Sequence, residues 1–121
     1  MQTIVQWKIP IKTVSEANNF EHWRDKYNRH KAQKQWICMY FNRETKPIPL
    51  PCSVTMVRHA KSLLDKEDNL PMSMKWIKDY IADCLIPGLP PGRADNDPRI
   101  TWKYDQVKSR EYFVEIRFDV E

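Results

Sequence analysis

The apolar and polar positions of this chain switch between a period of two and a period near 3.6 residues, and the switches mark out its elements. Residues 3–9, Thr-Ile-Val-Gln-Trp-Lys-Ile, are β-branched and aromatic with partial alternation; the pattern stops at Pro10, which predicts an edge strand. From Ser15 and Asn18 a helical period runs to about residue 40, with Phe20, Trp23, Tyr27, Ile37 and Phe41 as its apolar members. The alternating prolines of residues 46–51, Lys-Pro-Ile-Pro-Leu-Pro, require an extended connector. Residues 52–59 then read as a second strand. Met74, Ile77, Ile81 and Leu85 recur at spacings of three and four, the mark of an amphipathic helix. Pro71 suits the first position of that helix and Asn69 or Asp68 its cap. Pro87-Gly88 ends it, and residues 99–104 and 111–118 give two further strands. The last of these alternates between Phe113, Glu115 and Arg117 on one side and Tyr112, Val114, Ile116 and Phe118 on the other.

The order β-α-β-α-β-β, with no internal repeat, predicts a single α+β domain over residues 1–121: a small mixed β-sheet of about four strands backed by two helices. At 121 residues the chain is long enough to bury a core and small enough to favour self-association. Its net charge of +4 suits a polyanionic partner without requiring one. Arg24, Lys26, Arg29, Lys31 and Lys34 flank the first helix and Lys78 lies on the second; these are either a solvated helix surface or contacts to a nucleic-acid backbone. Cys38, Cys52 and Cys84 are widely spaced with no C-x-x-C pair, which argues against a disulfide scaffold or zinc knuckle and for a reducing compartment. No apolar run approaches the ~20 residues of a membrane span. The opening Met1-Gln2-Thr3-Ile4 lacks the charged and apolar regions of a signal peptide, so cytoplasmic residence is expected.

The densest chemistry lies between Leu64 and Ile100. Asp65, Glu67 and Asp68 precede the second helix, and Asp95 and Asp97 lie in a loop, residues 87–98, that holds both glycines of the chain and four of its nine prolines. Asp68, Lys75 and Asp79 stand seven and then four residues apart, which stacks them on one helix face. The returning loop is expected to bring Asp95 and Asp97 beside Asp68. Carboxylates gathered in this way need a cation, and hard oxygen ligands select Mg²⁺ or Mn²⁺. Such an ion activates water and anchors a phosphodiester, with Lys75 placed to stabilise charge at phosphorus. The plainer alternative is a helix-start residue at Asp68, turn residues at Asp95 and Asp97, and a surface ion pair between Lys75 and Asp79. Asp95-Asn96-Asp97-Pro98 has neither the glycine nor the closing glutamate of a calcium loop, and His22, His30 and His59 show no metal or triad spacing.

Asp68-Asn69-Leu70, the helix bearing Lys75 and Asp79, the glycine-containing loop and Asp97-Pro98-Arg99-Ile100 follow one another as in the RusA-type Holliday-junction resolvases, small endonucleases often carried by phages and prophages, which this chain resembles. Ala17-Asn18-Asn19 is similar to the asparagine-bearing segment before that family's first helix. The resemblance implies a RusA-like fold, a homodimer, dependence on Mg²⁺ or Mn²⁺, and paired nicks across a four-way DNA junction. It implies metal binding by Asp68 and Asp97 and a charge-stabilising role for Lys75. The family's D-x-D-N-L pattern has an aspartate where this chain has Lys66, which leaves Asp65 or Glu67 to complete the ligand set. The usual paired aspartates before the last strands stand here as Asn96-Asp97, with Asp95 one position earlier. Candidate DNA contacts are Arg24, Arg29, Lys31, Lys34 and Lys78. A homodimer that binds branched DNA but has lost catalysis through Lys66 is the alternative.

Overall fold

The computed structural model describes residues 1–14, 22–90 and 93–121. Its order is β1 (Gln2–Ile9), α1 (Trp23–Arg43), β2 (Cys52–Ala60), α2 (Asn69–Leu85), a single 3-10 turn (Ala94–Asn96), β3 (Ile100–Lys108) and β4 (Phe113–Val120). This is the expected α+β arrangement: a four-stranded mixed sheet with two helices. The strands lie in the order β1-β4-β2-β3, with β4 antiparallel to both neighbours and β2 parallel to β3. β1 is the edge strand that its Pro10 stop predicts.

Since β4 opposes both β1 and β2, those two strands run in the same direction, and each helix is a crossover between parallel strands. Such crossovers are almost always right-handed, and two successive steps in one direction across the sheet place both helices over the same face. The core agrees. Ile37 of α1 and Met74, Ile77 and Ile81 of α2 are buried in one cluster with Val5, Trp7, Val54, Met56, Ile116 and Phe118. Trp7 packs edge-on to both Phe41 and Phe118, at ring-centre distances of 4.8 and 4.9 Å.

The alternation in β4 is realised as predicted, with Val114, Ile116 and Phe118 fully buried beneath the helices. Glu115, Arg117 and Asp119 occupy the other face, where their register partners on β2 are Val57, Thr55 and Ser53. His59 stacks on Phe113 and contacts Glu115 at 3.3 Å, while Arg117 pairs with Asp119 at 3.5 Å.

Several boundaries differ from the sequence pattern. The described part of α1 starts at Trp23, with His22 as N-cap accepting from the Arg24 amide at 3.1 Å, and it runs on to Arg43. Ser15, Asn18 and Phe20, the expected start, lie outside the described residues, as does the Ala17-Asn18-Asn19 segment. Trp23 and Tyr27 match the helical period but are 67% and 59% exposed, because burial on α1 is confined to its later turns around Gln33 and Ile37. β3 extends to Lys108 through continuous pairing with β2.

Candidate functional site

The start of α2 is built by Asp65, not by the residues that spacing alone favours. Its carboxylate accepts from the Asp68 amide at 2.9 Å, the Asn69 amide at 3.3 Å and the Asn69 side-chain amide. These amides are the unpaired donors of the first helical turn, and satisfying them is what a cap does. The same bonds lower the Asp65 pKa below the usual carboxylate value, the Asp68 amide contributing most. Asp68 holds the N-cap position, yet its exposed side chain makes no capping bond. Pro71 becomes the third helical residue instead of the first, since the helix begins at Asn69. The exposed Lys75 places its ammonium 5.4 Å from the Trp76 ring centre.

The far end of α2 carries a second acidic group. Gly88 adopts a positive φ of 98° where the chain leaves the helix, a conformation that glycine adopts without steric cost. The chain then enters the 3-10 turn, and Trp102 Nε1 of β3 donates to the Asp95 carbonyl at 3.1 Å. Asp97 is held by Arg99: Oδ1 accepts from the Arg99 amide at 2.9 Å and from Nε at 3.0 Å, and Oδ2 accepts from Nη2 at 2.9 Å. That clamp pulls the Asp97 pKa down to about 2. The plain turn reading therefore accounts for Asp97 well, whereas the plain capping reading applies to Asp65 and not to Asp68.

The carboxylates that do meet are Asp79 and Asp95. Burial is the larger influence on Asp79, and the neighbouring Asp95 charge adds to it, so that together they raise its pKa to about 6 against the opposing pull of Lys75 and Lys78. The two side chains are close enough to share a proton. Asp95 Oδ1 is buried with no hydrogen-bond partner. Tyr104 stands beside the pair and its hydroxyl pKa is raised by burial and then by both acids. The sequence pattern sets Asp79 on one helix face with Asp68 and Lys75, with an ion pair to Lys75 as the plainer alternative, and does not reveal its approach to Asp95. The available signal was the turn after α2, which returns the chain along the helix before β3 begins.

The expected union of Asp65, Asp68 and Asp97 does not form within one chain. Leu64, next to Asp65, exchanges two bonds with the Gln106 side chain, accepting at 2.6 Å and donating at 2.9 Å. Asp97 lies at the opposite end of the same strand, where its carbonyl accepts from the Ile100 amide at 3.2 Å. Six residue steps along the strand separate Ile100 from Gln106, or about 20 Å at the usual rise. The cause is topological: a crossover helix between parallel strands starts near the end of one and finishes near the beginning of the next. Asp68 is likewise about 16 Å along the helix from Asp79. Among the described residues, no three His, Cys, Asp or Glu side chains converge in a way that would hold a metal ion. The ligand set implied for Mg²⁺ or Mn²⁺ therefore does not fit a single copy.

The candidate DNA contacts are divided among surfaces. Lys31 and Lys34 line a groove between α1 and α2 together with Tyr27, His30, Trp76 and Tyr80. Arg24 lies against the Trp23 ring at the start of α1, 5.5 Å from its centre. Lys78 points instead to β3, its ammonium 5.4 Å from the Trp102 ring centre. Arg29 is partly buried on α1. Among the described residues no helix is long and apolar enough to cross a membrane. Comparison with family models, curated proteins and solved structures finds no match to this chain.

Proposed function

We propose that this chain is a structure-selective DNA endonuclease of the RusA-like kind, which works in the cytoplasm as a homodimer on four-way junctions with Mg²⁺ or Mn²⁺. The observation that carries the reading is the division of labour before α2. Asp65 performs the capping that would otherwise explain an acid at Asp68, which leaves the exposed Asp68 carboxylate beside Asn69 and Leu70 without a capping role. The basic surface of α1 and the net charge of +4 suit a phosphate backbone.

A dimer is required on two counts. Two coordinated nicks need two sites related by symmetry. The roughly 20 Å between the ends of β3 also means that Asp68 and Asp97 can serve one site only when two copies of the chain each supply one of them. On this reading Asp68 and Asp97 hold the cation and Lys75 stabilises charge at the phosphate. The Arg99 clamp has to yield part of its hold on Asp97 for that to happen.

A labelled four-way junction incubated with Mg²⁺, Mn²⁺ or chelator tests the reading. Asp68→Asn and Asp97→Asn proteins are each expected to bind the junction and fail to cut it. Mixed together, they restore nicking, because in each mixed dimer one of the two sites then combines an intact Asp68 with an intact Asp97. Cutting by either variant alone at the parental rate removes that residue from the site, and a mixture that stays inactive removes the shared arrangement. The separation of the acids within one copy, together with Lys66, favours a second reading in which the dimer binds junctions without cutting them. That protein would bind with steep salt dependence and cleave in neither metal.

A further inference from the structure

We propose that the groove between α1 and α2 binds an unpaired nucleobase of a DNA strand, stacking it on Trp76 while Lys31 and Lys34 hold the flanking phosphates; this rests on the DNA reading above. Tyr27, Lys31 and Lys34 stand four and three residues apart and so form one ridge of α1, and Trp76 and Tyr80 form the facing ridge of α2 by the same spacing. The space between them is about 610 Å³, within the roughly 300–1,000 Å³ that small-ligand sites occupy.

Both kinds of contact that a flexible strand needs are present. The His30 ring lies 4.3 Å from the Trp76 ring centre at a 32° tilt and covers one side of the indole; the Lys75 ammonium stands over the ring 5.4 Å from its centre, and a base stacks there by displacing this exposed side chain. Tyr27 is 59% exposed on the opposite ridge. Lys31 and Lys34 are exposed on the rim, and among the described residues no acidic side chain lines the groove. Flat aromatic surfaces edged by cations are how proteins grip single strands without reading sequence, since every base has a π-face and every nucleotide a charge. A second copy of this chain carries the same net charge of +4 and does not answer the lysines, whereas a nucleotide answers both the lysines and the rings. A branched junction presents such bases wherever its arms open.

The test measures anisotropy of a short fluorescein-labelled oligodeoxythymidine and of a fully paired duplex against the intact protein. Trp76→Ala is expected to weaken the single strand roughly tenfold or more and the duplex far less, with Trp76→Phe retaining most of the affinity. Lys31→Glu with Lys34→Glu weakens both probes. Should Trp76→Ala fail to fold, the double lysine variant decides the matter, as both side chains are exposed; unchanged affinity for the oligodeoxythymidine then overturns the assignment. Parental strand affinity in a folded Trp76→Ala protein that still binds junctions removes the groove and leaves the endonuclease reading intact. If that variant instead turns a dimer into a monomer at unchanged strand affinity, a second copy fills the groove and the proposal falls. Absence of binding to any DNA, junction included, removes both readings together.

Discussion

Single carboxylates in this chain have environments that set them apart. Asp79 is the clearest case: partly buried and facing Asp95, it has its pKa raised to about 6. A folded-state pKa above the unfolded value favours the protonated form, so its contribution to stability is complete below about pH 4 and is lost as the pH rises through 6. Asp79→Asn removes the charge that the fold disfavours. At pH 7 it is expected to stabilise the protein by on the order of 1–2 kcal/mol, a figure reduced from the full shift because solvent screens the pair. Urea unfolding at pH 5 and pH 7 checks this, the parent losing stability between them and the variant losing less. Asp65 and Asp68 make a sharper contrast. Asp65→Ala takes away the acceptor for two backbone amides and should lower the melting midpoint, whereas Asp68→Ala should leave it nearly unchanged. Equal losses from the two substitutions would contradict the assignment of the cap.

Periodicity resolved elements better than it resolved their ends. The alternation in β4 and the three-four spacing in α2 reflect burial against a neighbour: Val114, Ile116, Phe118, Met74, Ile77 and Ile81 are fully buried, while Tyr112 and Leu85, at the ends of the same patterns, are only partly so. Trp23 and Tyr27 fit the helical period equally well and are exposed. Spacing identifies a face; whether another element covers that face depends on how far the sheet reaches beneath the helix. The candidate site was legible to a similar depth. The residue types and their grouping could be read, but their meeting could not, because it depends on strand direction. A parallel β2–β3 pair separates the two acidic groups that a hairpin would have joined. Asp65 escaped notice as a cap because it lies three residues before the helix boundary and reaches forward to it.

At the scale of the molecule, one ring of β4 ties the edge strand to a helix. Phe118 is fully buried and touches rings from both the edge strand and α1, with Trp7 at 4.9 Å and Phe41 at 6.0 Å between ring centres. Removing it leaves a void bounded by several elements that cannot all close in. Phe118→Ala is expected to cost about 3–5 kcal/mol, read from chemical denaturation at fixed pH. That is a large part of the roughly 5–15 kcal/mol that holds a small domain together. A loss below about 1 kcal/mol, the range of a tolerated core swap, would mean that the sheet and α1 are not joined through this ring.

The crossover geometry sets the spacing of the acidic groups along the molecule. α2 spans 17 residues between its two acidic termini, and its rise per residue is invariant. The helix is thus a ruler: adding one turn to it would push the two acidic stations about 5 Å further apart and rotate neither relative to the sheet by much.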